Sequence, residues 1–379
     1  MEKLLLTTES NRPLYINTSK LDSIKNELES FCNDTIFSLS HTFPKEILFP
    51  YELKNNNAIE GYQQEISSII KIINNPRLKT NKLDNEYQRI YNMYLGYDFI
   101  LEKTPITEES LFKLYKILSN KILEKDEMLL PGNKYRHSDV FIHYTSNLSK
   151  KPDKGFEHYN IERHMEELFK FINTNNDISE VDLFFKSQII HFYMVYIHPY
   201  FDINGRTART TSLWFLNNNK SYPYTIFNRA ITFNKNNYYK IIRDTKHYKN
   251  LTSFVKFVAE GTKLELEKEY IIRSMDENIY KNLTAIDKQV LQYILSNNST
   301  NTLIDIQKIY NRFNPKKNLT YVNDELLFPL FEQEVLLKKR NTSKHIYGDN
   351  LNYEFVLNKD KFNFNREKIK RLDIQKFGV

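Results

Sequence analysis

The sequence is poor in the residues that usually cross-link or punctuate a chain. Cys32 is the only cysteine among 379 residues, so an intramolecular disulfide and a cysteine-built zinc cluster are both excluded. No run of about 18 apolar residues occurs, which argues against a membrane-spanning helix. The opening MEKLLLTTES has too short an apolar stretch and the wrong flanks for a signal peptide, so a cytoplasmic location is the expectation. P-loops, GxGxxG turns, internal repeats and Cys/His clusters are missing too. Glycine occurs only eight times. Three of these, Gly61, Gly132 and Gly205, fall in the stretches that carry the functional reading, which hints at backbone constraint there.

What is present is enough for a sizeable core: 40% of residues are hydrophobic and 14% aromatic. The length suggests two or three domains. The net charge of +7 is unevenly spread. From Lys281 to Val379 there are 17 Lys and Arg against 11 Asp and Glu, whereas the preceding residues are close to neutral. A basic C-terminal region is compatible with DNA, with an acidic protein surface, or simply with a solvated face.

The stretch Val195–Arg209, VYIHPYFDINGRTAR, organises the chain. It ends an apolar helical run, turns at Pro199 and re-enters a helical pattern at Gly205. A loop that feeds a helix start is an anion site, because free N–H groups and the helix dipole both favour negative charge. Arg206 and Arg209, three apart, share one face of the new helix. Two guanidiniums, a row of backbone donors and Asp202, a carboxylate able to hold a hard cation, together suggest a nucleoside polyphosphate with Mg²⁺. His198 is the one neighbour suited to moving a proton near neutral pH.

The run His198-Pro199-Tyr200-Phe201-Asp202-Ile203-Asn204-Gly205-Arg206-Thr207-Ala208-Arg209 resembles the signature loop of the Fic family, HPF-x-(D/E)-GN-(G/K)-R-x-x-R. The resemblance implies a mainly α fold: a Fic-type helical bundle with a small β-hairpin flap, accompanied here by a C-terminal winged-helix-like domain. It also implies transfer of AMP from ATP to a Ser, Thr or Tyr hydroxyl of a target protein. Two positions depart from the pattern. Tyr200 replaces Phe and keeps an aromatic plug, while Ile203 replaces a glycine. If that glycine's backbone needs a positive φ, a β-branched residue there is costly.

Further stretches extend the resemblance. Asn56-Asn57-Ala58-Ile59-Glu60-Gly61 resembles the family's inhibitory helix, (S/T)-x-x-x-E-(G/N), with Asn56 in place of Ser or Thr. The asparagines before Ala58 read as a helix cap, followed by a stripe of Ile66, Ile69, Ile70 and Ile73. In the family the glutamate pairs with the second loop arginine, here Arg209, so Glu60 is expected to inhibit. Gly132, Tyr135, Arg136, Val140 and Ile142 resemble the flap that holds the target by strand addition. Asn234 and Tyr238 fall where the family places residues near the nucleoside, although in a chain with 26 tyrosines Tyr238 is as readily a core aromatic. His191, seven before His198, reads as a hydrogen-bonded core residue rather than a metal ligand.

The remaining organisation follows from helical spacing. RPLYIN reads as a short strand, LDSIKNELESF as a helix, and HTFPKEILFP, with Pro44 and Pro50, as an extended connection. Residues 83–103, 108–124 (capped at Thr107), 160–173 and 251–278 read as helices, and the apolar run before His198 as the buried centre of the bundle. From Thr284 a helix, helix, helix, hairpin order suggests the winged-helix module, although Pro329 argues against an uninterrupted third helix. The expected divisions are an N-terminal arm and inhibitory helix (1–80), a Fic catalytic domain (81–280), a winged-helix-like domain (281–350) and a basic tail (351–379).

The resemblance implies these roles: His198 accepts the target's proton, Asp202 ligates Mg²⁺, Asn204 and the N–H groups around Gly205 line an anion hole, and Arg206 and Arg209 hold the β- and γ-phosphates. ATP, a target protein and the chain itself are the expected partners, with DNA or protein contact through the basic region and homodimerisation left open. Competing readings are a phosphotransferase that binds its nucleotide reversed, an enzyme that removes AMP, and a nucleotide-binding regulator without transfer activity.

Overall fold

The computed structural model describes residues 2–32, 45–62, 69, 72, 85–142, 152–174, 178–219, 225–273, 284, 287, 301–303, 306–307, 310, 318–332, 334, 336–340 and 353–357. The chain divides into two compact units, Met1–Leu266 and Glu267–Val379.

The first unit opens with an antiparallel pair, β1 (Glu2–Thr7) and β2 (Pro13–Ile16), in which Glu2 faces Ile16 and Lys3 faces Tyr15. The expected RPLYIN strand is β2; its partner β1 was not legible as a strand. Helix α1 (Asp22–Cys32) follows as its apolar spacing predicts. The next helix, α2 (Lys45–Ile59), corrects two expectations. From Lys45 on, the segment read as an extended connection is helical, with Pro50 in its second turn, where the ring's missing N–H forgoes one helical bond near the start; residues 41–44 lie outside the described residues. The asparagines read as a cap lie in the final turns. Helix α2 therefore ends where a helix was expected to begin. Of the isoleucine stripe, Ile69 is buried, whereas Ile66, Ile70 and Ile73 lie outside the described residues.

Helices α3 (Asn85–Leu101) and α4 (Glu108–Ser119) form where the spacing places them. Thr107 caps α4 by accepting the N–H of Ser110 at 3.3 Å. The buried face of α4 carries Leu111, Leu114, Tyr115 and Leu118, with Ile117 only half-buried. A short hairpin, β3 (Phe141–Ile142) and β4 (Asp153–Lys154), precedes α5 (Ile161–Ile172), whose Ile161, Met165, Leu168 and Phe171 all point inward.

The centre of the unit is α6 (Glu180–Ile197), capped by Ser179 and buried at Val181 and at every residue from Leu183 to Ile197. It packs on α7 (Asn204–Asn218), itself buried nearly all round. Most of the hydroxyls on α7 are nonetheless satisfied, Thr210 Oγ1 being the exception without a partner among the described residues. Thr207 and Thr211 bond the carbonyls four residues back at 2.8 Å, and Ser212 bonds Ser187 O at 2.9 Å. Helices α8 (Phe227–Phe233), α9 (Lys235–Tyr248) and α10 (Thr252–Arg273) follow. On α10 Phe254 and Val258 are buried, Leu264 is exposed and Leu266 takes the inward position.

The described part of the second unit contains an antiparallel sheet in the order β5 (Asn301–Thr302), β7 (Tyr353–Leu357), β6 (Leu336–Arg340). Thr284 and Asp287 form a reciprocal side-chain-to-backbone pair, the pattern of a capped helix start. Pro329 is accommodated by a change of helix type: a wide π segment, Val322–Leu327, precedes the α turn Phe328–Glu332. Residues 288–300, 341–352 and 358–379 lie outside the described residues, and with them most of the winged-helix pattern and the tail. Tyr222, Pro223 and Tyr224 do so as well. No helix among the described residues is long and apolar enough to cross a membrane.

Candidate active site

The loop between α6 and α7 is bounded by two left-handed residues. His198, the C-cap of α6, has φ +56° and ψ +62°, and Ile203, the N-cap of α7, has φ +67° and ψ +7°. The concern raised by the glycine-to-isoleucine departure is thus realised: a buried β-branched residue stands in the conformation glycine adopts most easily.

The loop is braced from within and from outside. Asn204 closes it on itself, accepting the N–H of Tyr200 at 2.9 Å and donating to Tyr200 O at 2.8 Å. Its side chain, expected in the anion hole, is therefore committed to the loop. Arg136, expected on the target-binding flap, is buried and turned inward instead. It donates to His198 O at 2.8 Å, to Ser138 O at 2.7 Å and to Phe156 O, while its N–H bonds Pro199 O at 2.9 Å. A guanidinium with its donors spent on carbonyls ties the hairpin to the loop and has little left for a target. Tyr200 is fully buried and stacked on Tyr115 with ring centroids 3.7 Å apart, the plug that was expected. Its hydroxyl finds no partner among the described residues.

His198 is half-buried, and its Nδ1 lies 3.3 Å from Val195 O. Donation from Nδ1–H to that carbonyl leaves the Nε2 lone pair as the base. Burial pushes the imidazole down to about 4, the Val195 contact opposes this, and the positive charges of Arg136 and Lys246 add to it. The ring is neutral at physiological pH, as a proton acceptor requires.

Glu60 of the α2 terminus reaches this loop. Its Oε1 lies 2.5 Å from Arg209 Nη2. Arg209 is buried, and it also donates to Asn56 Oδ1 at 2.8 Å and Asn56 O at 3.2 Å. The same carboxylate oxygen sits on Gly205, where an added β-carbon would collide with it. A negative charge therefore occupies the first turn of α7, the position the dipole and free N–H groups favour for an anion. Burial by itself would raise the Glu60 carboxyl, but Arg209, Arg206 and Lys235 outweigh it and hold it below its ordinary value. The Glu60–Arg209 pairing, implied only by resemblance in the sequence, is present.

Arg206 is buried too, with Asp202 Oδ2 at 3.7 Å as its paired carboxylate and with Nε lacking a hydrogen-bond partner among the described residues. Asp202 is half-buried, with its side chain 42% exposed. Among the described residues no three His, Cys, Asp or Glu side chains converge as a metal cluster. Asp202 could still serve a hard cation whose other ligands are phosphate oxygens and water.

The nucleoside-side candidates divide. Asn234 is exposed at the joint of α8 and α9. Tyr238 is buried, its hydroxyl 2.9 Å from His191 Nε2, so both belong to the core, as was read for His191. Their neighbours do something not foreseen. Lys235 Nζ donates to Ala58 O at 3.3 Å and Tyr239 OH to Ile59 O at 2.8 Å, capping the last carbonyls of α2. Four apart on α9, they share a face, but nothing in the sequence says that this face meets α2.

On the hairpin, Tyr135 donates to Glu108 Oε1 at 2.8 Å and Val140 O accepts the N–H of Gly155 at 2.9 Å. Of the paired residues Ile142 is buried and Phe141 exposed, so Phe141 presents the outward face.

Residues 105–216 match the family model described as Fic/DOC family. A crystal structure of a Fic family protein from Desulfovibrio desulfuricans shares 16% identity and a TM-score of 0.57, over 91% of this chain and 98% of that one. Fic-1 from C. elegans shares 16% identity with a TM-score of 0.49, over 67% of this chain and 71% of that one. A Fic domain containing signaling protein from Bacteroides thetaiotaomicron shares 16% identity with a TM-score of 0.44, over 78% and 99%. With the signature loop, its buried arginines and the helical bundle in place, residues 105–216 constitute a Fic/DOC family domain.

Proposed function

We propose that the chain is a protein adenylyltransferase held in check by its own Glu60. The observation that carries this reading is the Glu60 carboxylate lying on Gly205 and Arg209 at the start of α7, in the place an anionic phosphate group would take. The residues fit ATP with Mg²⁺. A buried Arg206 Nε lacks a partner among the described residues, Gly205 leaves a cradle a β-carbon would fill, and Asp202 offers an open carboxylate.

In this reading Arg206 and the N–H groups of the first turn of α7 hold the phosphates. Arg209 holds the terminal phosphate once Glu60 leaves it, and Asp202 ligates Mg²⁺. When bound, the ion supplies charge neutralisation for the departing diphosphate. His198 Nε2 takes the proton of a Ser, Thr or Tyr hydroxyl as that oxygen bonds to the α-phosphorus and the bond to the β-phosphate oxygen breaks. The chain's contribution is positioning and electrostatics. The antiparallel order β5-β7-β6 supports a winged-helix-like docking module that runs past residue 350, because its central strand β7 (Tyr353–Leu357) comes from the segment expected as tail.

Intact-mass measurement of the wild type, Glu60→Gly and His198→Ala after incubation with ATP and Mg²⁺ tests the reading. Added AMP on Glu60→Gly, less on the wild type and none on His198→Ala is the expected result. Added phosphate would replace it with a phosphotransferase reading. Tight ATP binding without any adduct, even on an offered panel of protein substrates, would favour a binding role.

A further inference from the structure

Glu60 occupies an unfavourable place on its own helix. It is the C-cap of α2, at the negative end of the helix dipole, where a carboxylate is repelled. Arg209 draws it in, yet a phosphate would compete for that same guanidinium. The bonds from Lys235 and Tyr239 fix the helix only as far as Ile59. Past Glu60 the chain turns at Gly61, whose φ of +97° suits glycine. The next anchored residue is Tyr62.

Tyr62 closes α2 in a Schellman turn. Its N–H reaches Asn57 O at 3.1 Å while the Gly61 N–H reaches Ala58 O at 3.0 Å. Its ring meets guanidiniums from two other helices. Arg89 of α3 lies with its Cζ 4.3 Å from the ring centroid, and Arg206 of α7 at 5.7 Å. Arg89 Nε is buried without a hydrogen-bond partner among the described residues, so the ring is a principal contact of that cation. Glu60 is thus flanked by two anchors, the capped carbonyl of Ile59 before it and the Tyr62 ring after it.

Building on the autoinhibition proposed above, we propose that Tyr62 and Arg89 form a latch. They are positioning residues that keep the Glu60 carboxylate on Arg209 and cover Arg206, and so set how much nucleoside triphosphate is needed to displace the inhibitory turn. Neither touches the reacting atoms. Releasing the latch leaves every loop residue intact while loosening the competitor for the phosphate site.

The test is calorimetric titration of the full chain with ATP and Mg²⁺, in a His198→Ala background so that no transfer occurs. Arg89→Gln and Tyr62→Leu are each compared with and without Glu60→Gly. Loss of one cation–π contact in Arg89→Gln predicts ATP affinity tighter by roughly 2- to 30-fold when Glu60 is present, with at least as large a gain in Tyr62→Leu, which loses both contacts, and no change in either when Glu60 is absent. Tyr62→Phe, which keeps the ring, should restore the parent affinity and controls for folding. Unchanged affinity in the Glu60-containing variants would overturn the latch. Weaker affinity in both backgrounds would overturn it too, by making Arg89 a phosphate ligand. If Glu60→Gly alone left ATP affinity unchanged, the autoinhibition reading itself would fall, and the latch with it.

Discussion

The Oε1 of Glu60 lies against the α-carbon of Gly205, with no room between them for a β-carbon. Two residues far apart in sequence are thereby fitted to each other: a glycine at the start of α7 and a carboxylate at the end of α2. Gly205→Ala should destabilise the protein when Glu60 is present and much less in the Glu60→Gly variant. A double-mutant cycle by urea denaturation should give a coupling of about 1–3 kcal/mol. Additive effects would mean that the two do not share this space.

Ile203 is buried in the left-handed region at φ +67°. An L-residue there costs about 1–2 kcal/mol, while burying the isoleucine side chain returns about 1.5–3 kcal/mol, so the strain is carried by packing. Both Ile203→Ala and Ile203→Gly lose that packing, but only glycine relieves the backbone. The glycine variant should therefore be more stable than the alanine variant by roughly 1–2 kcal/mol, the reverse of their order in an ordinary helix. Thermal melts of the two variants decide it.

Two groups, the buried Glu52 and the half-buried His198, give stability opposite dependences on pH. Burial pushes Glu52 up to about 7 from its ordinary 4.5; Arg229 and the Asn228 hydrogen bond oppose that, and Glu265 adds to it. The folded state then binds more protons than the unfolded state between those values. Its contribution is full below 4.5 and is lost as pH rises through 7. His198 behaves conversely: pushed down to about 4 from 6.5, it binds fewer protons when folded, so stability falls as pH drops from 6.5 towards 4. Denaturation midpoints measured from about pH 4 to pH 8 should show the alkaline loss removed in Glu52→Gln and the acid loss reduced in His198→Gln. A Glu52→Gln profile parallel to the wild type would contradict the first assignment.

The parts legible in the sequence are those whose determinants are contiguous. The signature loop sits within twelve residues, and the all-round apolar run before it announces the buried α6. The helix beginning at Thr107 and the inward residues of α5 follow from local spacing and capping alone. Reading failed where a local rule had a tertiary exception. Pro50 did not end α2, because a proline near a helix start forgoes one bond and packing outweighs that loss. Arg136 and Asn204 read as ligand or target contacts, since nothing local says that their donors are spent on the backbone of the loop.

By itself the sequence determined the chemistry available: a histidine, a carboxylate, a helix start with two arginines, and a glutamate–glycine turn upstream. Only the tertiary structure decided which charges meet. It brought the end of α2 onto the start of α7, seated Glu60 on Gly205 and Arg209, and set Tyr62 between Arg89 and Arg206. The physical reason is that backbone propensity and capping act over a few residues, whereas charge pairing and desolvation act over a few ångströms between residues far apart in the chain. Those partners exist only once the core around α6 and α7 has packed.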